Sequence, residues 1–220
     1  MASKGLTSPI LVGLQIRERG GTTRKRVDRG EGTGGGIPTI RTRSRQTKLK
    51  QTINRLESQL AELWNQSHQL VELYRMKQGF PFSKPDYDPR VVLPGLEGVL
   101  GRRGELPWLL GCLRYIAFLR HYLCLVQDDV RDLLPGDGPL TGLLSSLLTL
   151  LEGLELNAEV LRGLLEPGVG PMPKEHFPPS WPPAEPGEGN VFRRKQLGLA
   201  ACISLIAWLG HSRGGFLAFL

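Results

Sequence analysis

The sequence predicts an all-α fold: a four-helix bundle in up-up-down-down order with two long crossover loops. Three observations predict it. Four stretches repeat apolar residues at spacings of three and four, the period of a helix with one buried face. No stretch carries a competing strand signal. The connections run long, short, long, at about 27, 5 and 24 residues, the order of a bundle with two crossovers. A short link makes neighbouring helices antiparallel. A long one can return along a helix of roughly 40 Å, so that the next runs parallel to it.

The first helix is expected from Gln46, with Leu49, Ile53, Leu56, Leu60, Leu63, Ser67, Leu70 and Tyr74 on its inner face. Gly79 ends it, and Pro81, Pro85, Pro89 and Pro94 exclude helix until about Leu106, since proline has no N–H for the ladder. The second helix is expected over Leu106–Leu134, with Leu109, Leu113, Ile116, Leu119, Leu123, Val126 and Val130 inward. "P-G-D-G-P" (Pro135–Pro139) is a tight turn. The third helix, Leu140–Glu166, carries Leu143, Leu147, Leu150, Leu154, Ala158, Leu161 and Leu165. A proline-rich stretch follows, and the fourth helix runs from Val191 towards the C-terminus, with Leu197, Ala201, Leu205, Trp208 and Leu209 on its stripe.

Charge divides the chain in two. Residues 1–50 hold 12 of the 28 Lys/Arg and 3 of the 21 Asp/Glu, a balance of +9 that leaves −2 for the rest. Residues 1–45 lack apolar period and contain "G-E-G-T-G-G-G", so they read as a disordered basic segment ahead of a helical domain at 46–220. Such an arm can attract nucleic acid or an anionic membrane, but it reads more simply as a solvated tail. "T-R-K-R" (Thr23–Arg26) has the pattern of a basic processing site. No clear secretory signal is expected, because "I-L-V-G-L" (Ile10–Leu14) is shorter than a signal's apolar region.

No catalytic constellation is legible, so no enzyme, metal or cofactor is expected. His68, His121, His176 and His211 belong to no metal or acid–base motif, and no C-x-x-C, P-loop or G-x-S-x-G occurs. Asp128, Asp129 and Asp132 read as a solvated face. Cys112 and Cys124 stand about 18 Å apart on one helix, beyond a disulfide's reach. Cys202 can pair with one of them at most, so the core and not a set of bridges must hold the fold. Asn65-Gln66-Ser67 matches a glycosylation acceptor, placed inside a helix. "F-P-P-S-W-P-P-A-E-P" (Phe177–Pro186) reads either as stiff crossover or as a ligand for proline-binding modules.

The start of the fourth helix, "G-N-V-F-R-R-K-Q-L-G-L" (Gly189–Leu199), breaks a local rule. Asn190 is a good N-cap residue. Arg193, Arg194 and Lys195 then place three cations near the positive end of the helix dipole. Phe192 and Lys195 are three apart and share a face, the pattern of an aromatic anchor with a charged neighbour. The plain alternative is that Phe192 staples the preceding loop to the bundle and the cations are ordinary surface charge. Residues 197–220 also admit a membrane tail anchor with positive flanks, though the uncharged run falls short of the roughly twenty residues that span a bilayer.

Two stretches resemble a known family. "L-V-E-L-Y-R-M-K-Q-G-F-P-F-S-K-P-D-Y-D-P" (Leu70–Pro89) resembles the end of the first helix and the start of the crossover in cardiotrophins. "V-F-R-R-K-Q-L-G-L-A-A-C-I-S-L-I-A-W-L" (Val191–Leu209) is similar to the start of their fourth helix: F-x-x-K, then L-G-L, a cysteine and W-L. The group is the cardiotrophin and ciliary neurotrophic factor branch of the interleukin-6 cytokine family, and the resemblance covers about residues 46–209. It implies a secreted cytokine that bridges two signalling receptor chains, so that receptor-associated kinases activate one another and STAT signalling follows. It implies that Phe192 and Lys195 bind the leukaemia inhibitory factor receptor; the charge of Arg193 and Arg194 is expected to steer the encounter more than to hold it. It implies a second surface, on the first and third helices, for the shared signal-transducing subunit. Some relatives also need a non-signalling alpha receptor, reached through the C-terminal end. Here Gly210, Gly214 and Gly215 weaken a helix at that end, which leaves such a partner open. Neither nucleic-acid binding nor membrane insertion is implied.

Overall fold

The computed structural model describes residues 40–91, 93, 104–170, 172 and 188–220. They form four helices and no strand: α1 (Ile40–Gln78), α2 (Glu105–Leu133), α3 (Gly138–Leu165) and α4 (Glu188–Ser212), with a terminal 3₁₀ turn at Gly215–Phe219. Residues 1–39 of the expected 1–45 arm, His176 and the proline-rich residues 177–186 lie outside this set, while residues 40–45 form the start of α1.

The first stripe packs as its spacing demands. Ile53, Leu56, Leu60, Leu63, Leu70 and Tyr74 are buried, and Leu49 packs against them. Ser67 sits in the same row fully buried, and its hydroxyl donates to the Trp64 carbonyl at 2.9 Å, which removes the cost of burying it. Helix α1 begins at Ile40, ahead of the expected Gln46. The extra turn is tied down: the Arg45 guanidinium reaches the Leu164 carbonyl at the end of α3, Nε at 3.0 Å. A basic sequence without apolar period gives no helix signal, and this contact supplies one from outside. Gly79, at φ +70°, stops the helix where the sequence places the stop.

Helix α2 buries all seven expected residues. Helix α3 is capped by Asp137, which accepts from the Leu140 N–H at 3.2 Å and pairs with Lys77 of α1 at 2.9 Å. The Lys77 ammonium holds the Asp137 carboxyl below its ordinary range. This tie is therefore present at neutral pH and is lost as acid protonates the carboxyl.

The stripe of α3 keeps Leu147, Leu154, Ala158 and Leu161 of the expected set and shifts at the other three positions. Leu140, Leu144, Leu147, Leu151, Leu154, Ala158 and Leu161 are buried, while Leu143, Leu150 and Leu165 are only half-buried. Leucine lies on almost every side of this helix, so several stripes fit its period, and packing selects one.

Helices α1 and α2 each pack on both α3 and α4 around one core. Each fully buried leucine contributes about 2 kcal/mol. The ends that meet are specific. Lys77 near the end of α1 pairs with Asp137 at the start of α3. Gln127 of α2 donates to Ser145 of α3 at 2.7 Å, and Arg120 pairs with Glu155. Trp108 at the start of α2 meets Phe216, past the end of α4, edge to face at 5.0 Å.

The glycines after α4 do more than weaken a helix. Gly214, at φ +77°, turns the chain back, and its N–H donates to Glu57 of α1 at 3.2 Å. A Cβ on Gly215 would stand 2.3 Å from the Trp108 ring, so only glycine lets Phe216 and Phe219 lie against that ring.

All three cysteines carry free thiols, Cys112 and Cys202 buried and Cys124 exposed. Burial pushes the Cys112 and Cys202 thiols up to about 12, leaving almost no thiolate at neutral pH. Iodoacetamide is therefore expected to alkylate Cys124 first, and the other two only on unfolding. Reductant should leave the melting temperature unchanged. Mass spectrometry that finds Cys202 modified in native protein would contradict this packing.

Candidate functional site

The start of α4 rests on a shelf made by the end of α1 and the loop after it. Arg75 builds the shelf. Its guanidinium donates to three loop carbonyls within four residues: Lys84 at 3.3 Å, Pro85 at 2.5 Å and Tyr87 at 3.1 Å. A planar cation with a fixed fork of donors suits a tight turn whose carbonyls converge. Phe82 is buried inside the turn, 5.1 Å from the Tyr87 ring and 5.2 Å from the Phe192 ring. Gln196 donates to the Tyr87 hydroxyl at 3.0 Å and closes the join to α4.

The register of α4 is set one turn deeper. Tyr74 lies across Gly198: a Cβ there would come within 2.1 Å of the tyrosine oxygen and 2.8 Å of Cζ. The hydroxyl passes beyond and donates to the Lys195 carbonyl at 3.3 Å. Burial holds this phenol well above its usual range, so it stays protonated and remains a donor. The "L-G-L" of the helix is thus a requirement of close approach rather than of helix propensity.

Against this base the site residues separate. Phe192 is 41% exposed, one side of its ring on Phe82 and the other towards solvent. The loop it contacts is the one after α1, not the preceding loop that the plain alternative names, most of which lies outside the described residues, and the contact leaves much of the ring exposed. Arg193 is exposed, and Lys195 is half-buried on the Phe192 side of the helix. Phe80 stands out from the neighbouring turn at 77% exposure, with the Lys84 ammonium 5.0 Å over its ring. Between loop and helix lies a groove of about 450 Å³ lined by Lys84, Tyr87, Arg90 and Gln196 among others.

Three expectations need correction. Arg194 is not a free steering charge. Its Nε donates to Asp129 Oδ1 at 2.6 Å, its Nη2 bonds the same oxygen, and it contacts Asp132 at 3.2 Å. With side-chain exposures of 11% and 7%, the Arg194–Asp129 pair is a buried bridge between α2 and α4. Accordingly the aspartates are not all a solvated face: Asp129 turns inward, while Asp128 pairs with Arg131 at the surface. Asn190 is not the N-cap, because the helix begins at Glu188 and Asn190 lies within it. That shift also eases the conflict with the dipole, which fades beyond the first turn. His68 stays at the rim, exposed and edge-on to Trp64 at 4.6 Å. His121 is half-buried, and desolvation lowers its pKa. No cluster of three His, Cys, Asp or Glu side chains is placed to hold a metal among the described residues.

Arg194→Ala is expected to destabilise the fold by roughly 3 kcal/mol, because it leaves the Asp129 charge buried beside a void. Replacing both partners by apolar residues, Arg194→Met with Asp129→Leu, should recover most of that loss. Urea unfolding of the three variants checks it, and an Arg194→Ala protein as stable as the parent would refute a buried bridge.

Compared with protein-family models, curated proteins and solved structures, the chain matches none.

Proposed function

We propose that this protein is a secreted cytokine of cardiotrophin type, an up-up-down-down bundle with two long crossovers, that bridges two signalling receptor chains and thereby activates their associated kinases and STAT signalling. The topology is supported by which ends meet. The start of α1 touches the end of α3, and the end of α1 touches the starts of α3 and α4. The end of α2 touches the start of α4, and the start of α2 touches the turn after α4. Two parallel helices facing two that run the other way satisfy every one of these contacts.

One observation carries the receptor reading: a half-exposed Phe192 on a rigid helix, backed by the buried Phe82, with Lys195 beside it and Arg193 exposed. An aromatic ring held in place by its own protein loses little freedom on binding, which is what a hot spot requires. We assign this face to the leukaemia inhibitory factor receptor, with the ring in a pocket and the ammonium on an acidic group. A second face, for the shared signal-transducing subunit, is supported by apolar residues left exposed on α1 and α3. Met76 is 65% exposed and Leu156 64%, and a groove of about 500 Å³ lined by Leu73, Met76 and Leu143 runs between the helices. An alpha receptor is not part of the proposal.

The rival reading makes residues 197–220 a membrane anchor. Against it stands the burial of Leu197, Leu199, Leu205, Trp208 and Phe216 among the other helices, which insertion would have to undo. α2 and α3 are long and apolar enough to cross a membrane by length and composition alone, a test that core helices also pass.

Phe192→Ala with Lys195→Ala is expected to weaken binding to one signalling receptor by about 2–4 kcal/mol and to spare the other. Stability should fall by only about 1 kcal/mol, the worth of the lost ring contact with Phe82. Surface plasmon resonance on each receptor ectodomain, with thermal melts alongside, checks both parts. A double mutant that binds both receptors normally would sink the assignment, and carbonate-resistant membrane association of the parent protein would favour the anchor.

A further inference from the structure

Most cations on this fold have a partner. Lys77, Arg120, Arg131, Arg162 and Arg194 pair with carboxylates. Arg75 and Arg45 hold carbonyls, and Lys84 and Arg213 lie over aromatic rings. Among the described residues, the largest group of cations without a described carboxylate, carbonyl or ring partner lies in the first turns of α1, apart from the scattered Arg90, Arg193 and Lys195. Between Ile40 and Leu56 the chain carries six Lys/Arg and no acidic residue. The side chains of Arg43, Lys48, Lys50 and Arg55 are exposed, and no described carboxylate lies within ion-pair distance of them.

Their placement is ordered. Arg45, Lys48 and Arg55 fall at i, i+3 and i+10, which puts them along one side of the helix over about 15 Å. That side borders a groove of about 360 Å³ between the start of α1 and the end of α3, lined by Lys48, Gln51, Thr52, Arg55, Val160 and Leu164. Glu159, on the α3 side, is engaged by Arg162 at 2.8 Å and does not neutralise it. A groove with cations along one wall, an amide and a hydroxyl between them and an apolar opposite wall has a specific complement. The cations meet anionic groups repeated along a chain, the Gln51 amide meets hydroxyls, and Val160 and Leu164 meet the C–H face of a sugar ring.

We infer that this groove binds a sulfated glycosaminoglycan of the heparan sulfate class. The choice of an extracellular polyanion rests on the secreted reading above; the groove and its charge do not. An anionic membrane fits less well, because a surface helix needs an apolar face to insert, and Leu49, Ile53 and Leu56 are already committed to the core. Nucleic acid fits less well, because the groove holds no aromatic ring on which a base stacks.

The test uses the full chain and the variant Lys48→Gln/Arg55→Gln, which keeps helix-forming residues and removes two charges. The probes are immobilised heparin, fully desulfated heparin, a random-sequence DNA duplex and phosphatidylserine vesicles. The parent is expected to bind heparin with a linear dependence of log affinity on log salt and to ignore the desulfated polymer. The variant, with unchanged helical circular dichroism, should show a slope lower by about one for each charge removed. The inference is overturned if the variant binds heparin like the parent, since the charge then lies in residues 1–39. It is overturned equally if desulfated heparin binds as well, or if DNA or vesicles bind more tightly and lose affinity in the variant. A variant that loses helicity is replaced by Lys48→Arg/Arg55→Lys and Lys48→Ser/Arg55→Ser: retained binding in the first and loss in the second support the groove, and loss in neither refutes it. Receptor binding on the same proteins separates the two proposals. Heparin binding without receptor binding sinks the cytokine reading and leaves this one standing.

Discussion

The close approach of Tyr74 to Gly198 is the constraint on which the upper half of the molecule depends. Helix α4 is reached through a long connection, so neither chain continuity nor a tight turn determines where it starts. Its leucines alone would tolerate a slide along the core. A phenol wedged where a Cβ cannot exist, with its hydroxyl on the Lys195 carbonyl, admits one register. The Arg194–Asp129 bridge locks the same turn to α2 from the other side. Buried ion pairs are weak sources of stability but good selectors of one arrangement among several, the role this geometry suits.

Phe192 inherits its position from those two contacts. It sits two residues before Arg194 and three before Lys195, on a turn that cannot rotate without breaking one or the other. Arg75 completes the setting by gathering the carbonyls of the loop after α1, which holds Phe82 beneath the exposed ring. The exposed aromatic therefore stands on a rigid base, although the base comes from segments far apart in the chain. The same economy explains why only some of the cations at this end are available to a partner: Arg193 is exposed and pairs with no described carboxylate, while Arg194 is consumed by the fold.

Charge is distributed unevenly along the molecule's length. At the end where α4 starts, Arg194, Arg75 and Lys84 are matched to carboxylates, carbonyls and a ring. At the end where α1 starts, six cations crowd one helix stretch that has no acidic residue of its own, and none of Arg43, Lys48, Lys50 and Arg55 pairs with a described carboxylate. Mutual repulsion there is a cost that burial of Leu49 and Ile53 offsets, and that a polyanion would relieve.

Helix number, order and most of the buried residues were legible in the sequence, because a period of three to four in apolar side chains follows directly from burying one face of a helix. The stripes of α1, α2 and α4 are of this kind, as is the stop at Gly79. The pairing of Phe192 with Lys195 on one face also follows from spacing alone. The rest needed the tertiary structure. The α3 stripe was ambiguous because leucine covers nearly the whole helix, and only its neighbours decide which row turns inward. The extra turn at Ile40 exists through a contact with Leu164, and the roles of Gly198, Gly215, Arg75 and Asp129 each lie in a partner dozens of residues away or in a loop's folded shape. Periodicity records which face of a helix is apolar. It holds no information about which side chain of another helix arrives against it, and that arrival decides whether a glycine is a defect or a necessity and whether a cation is a surface charge or a bridge.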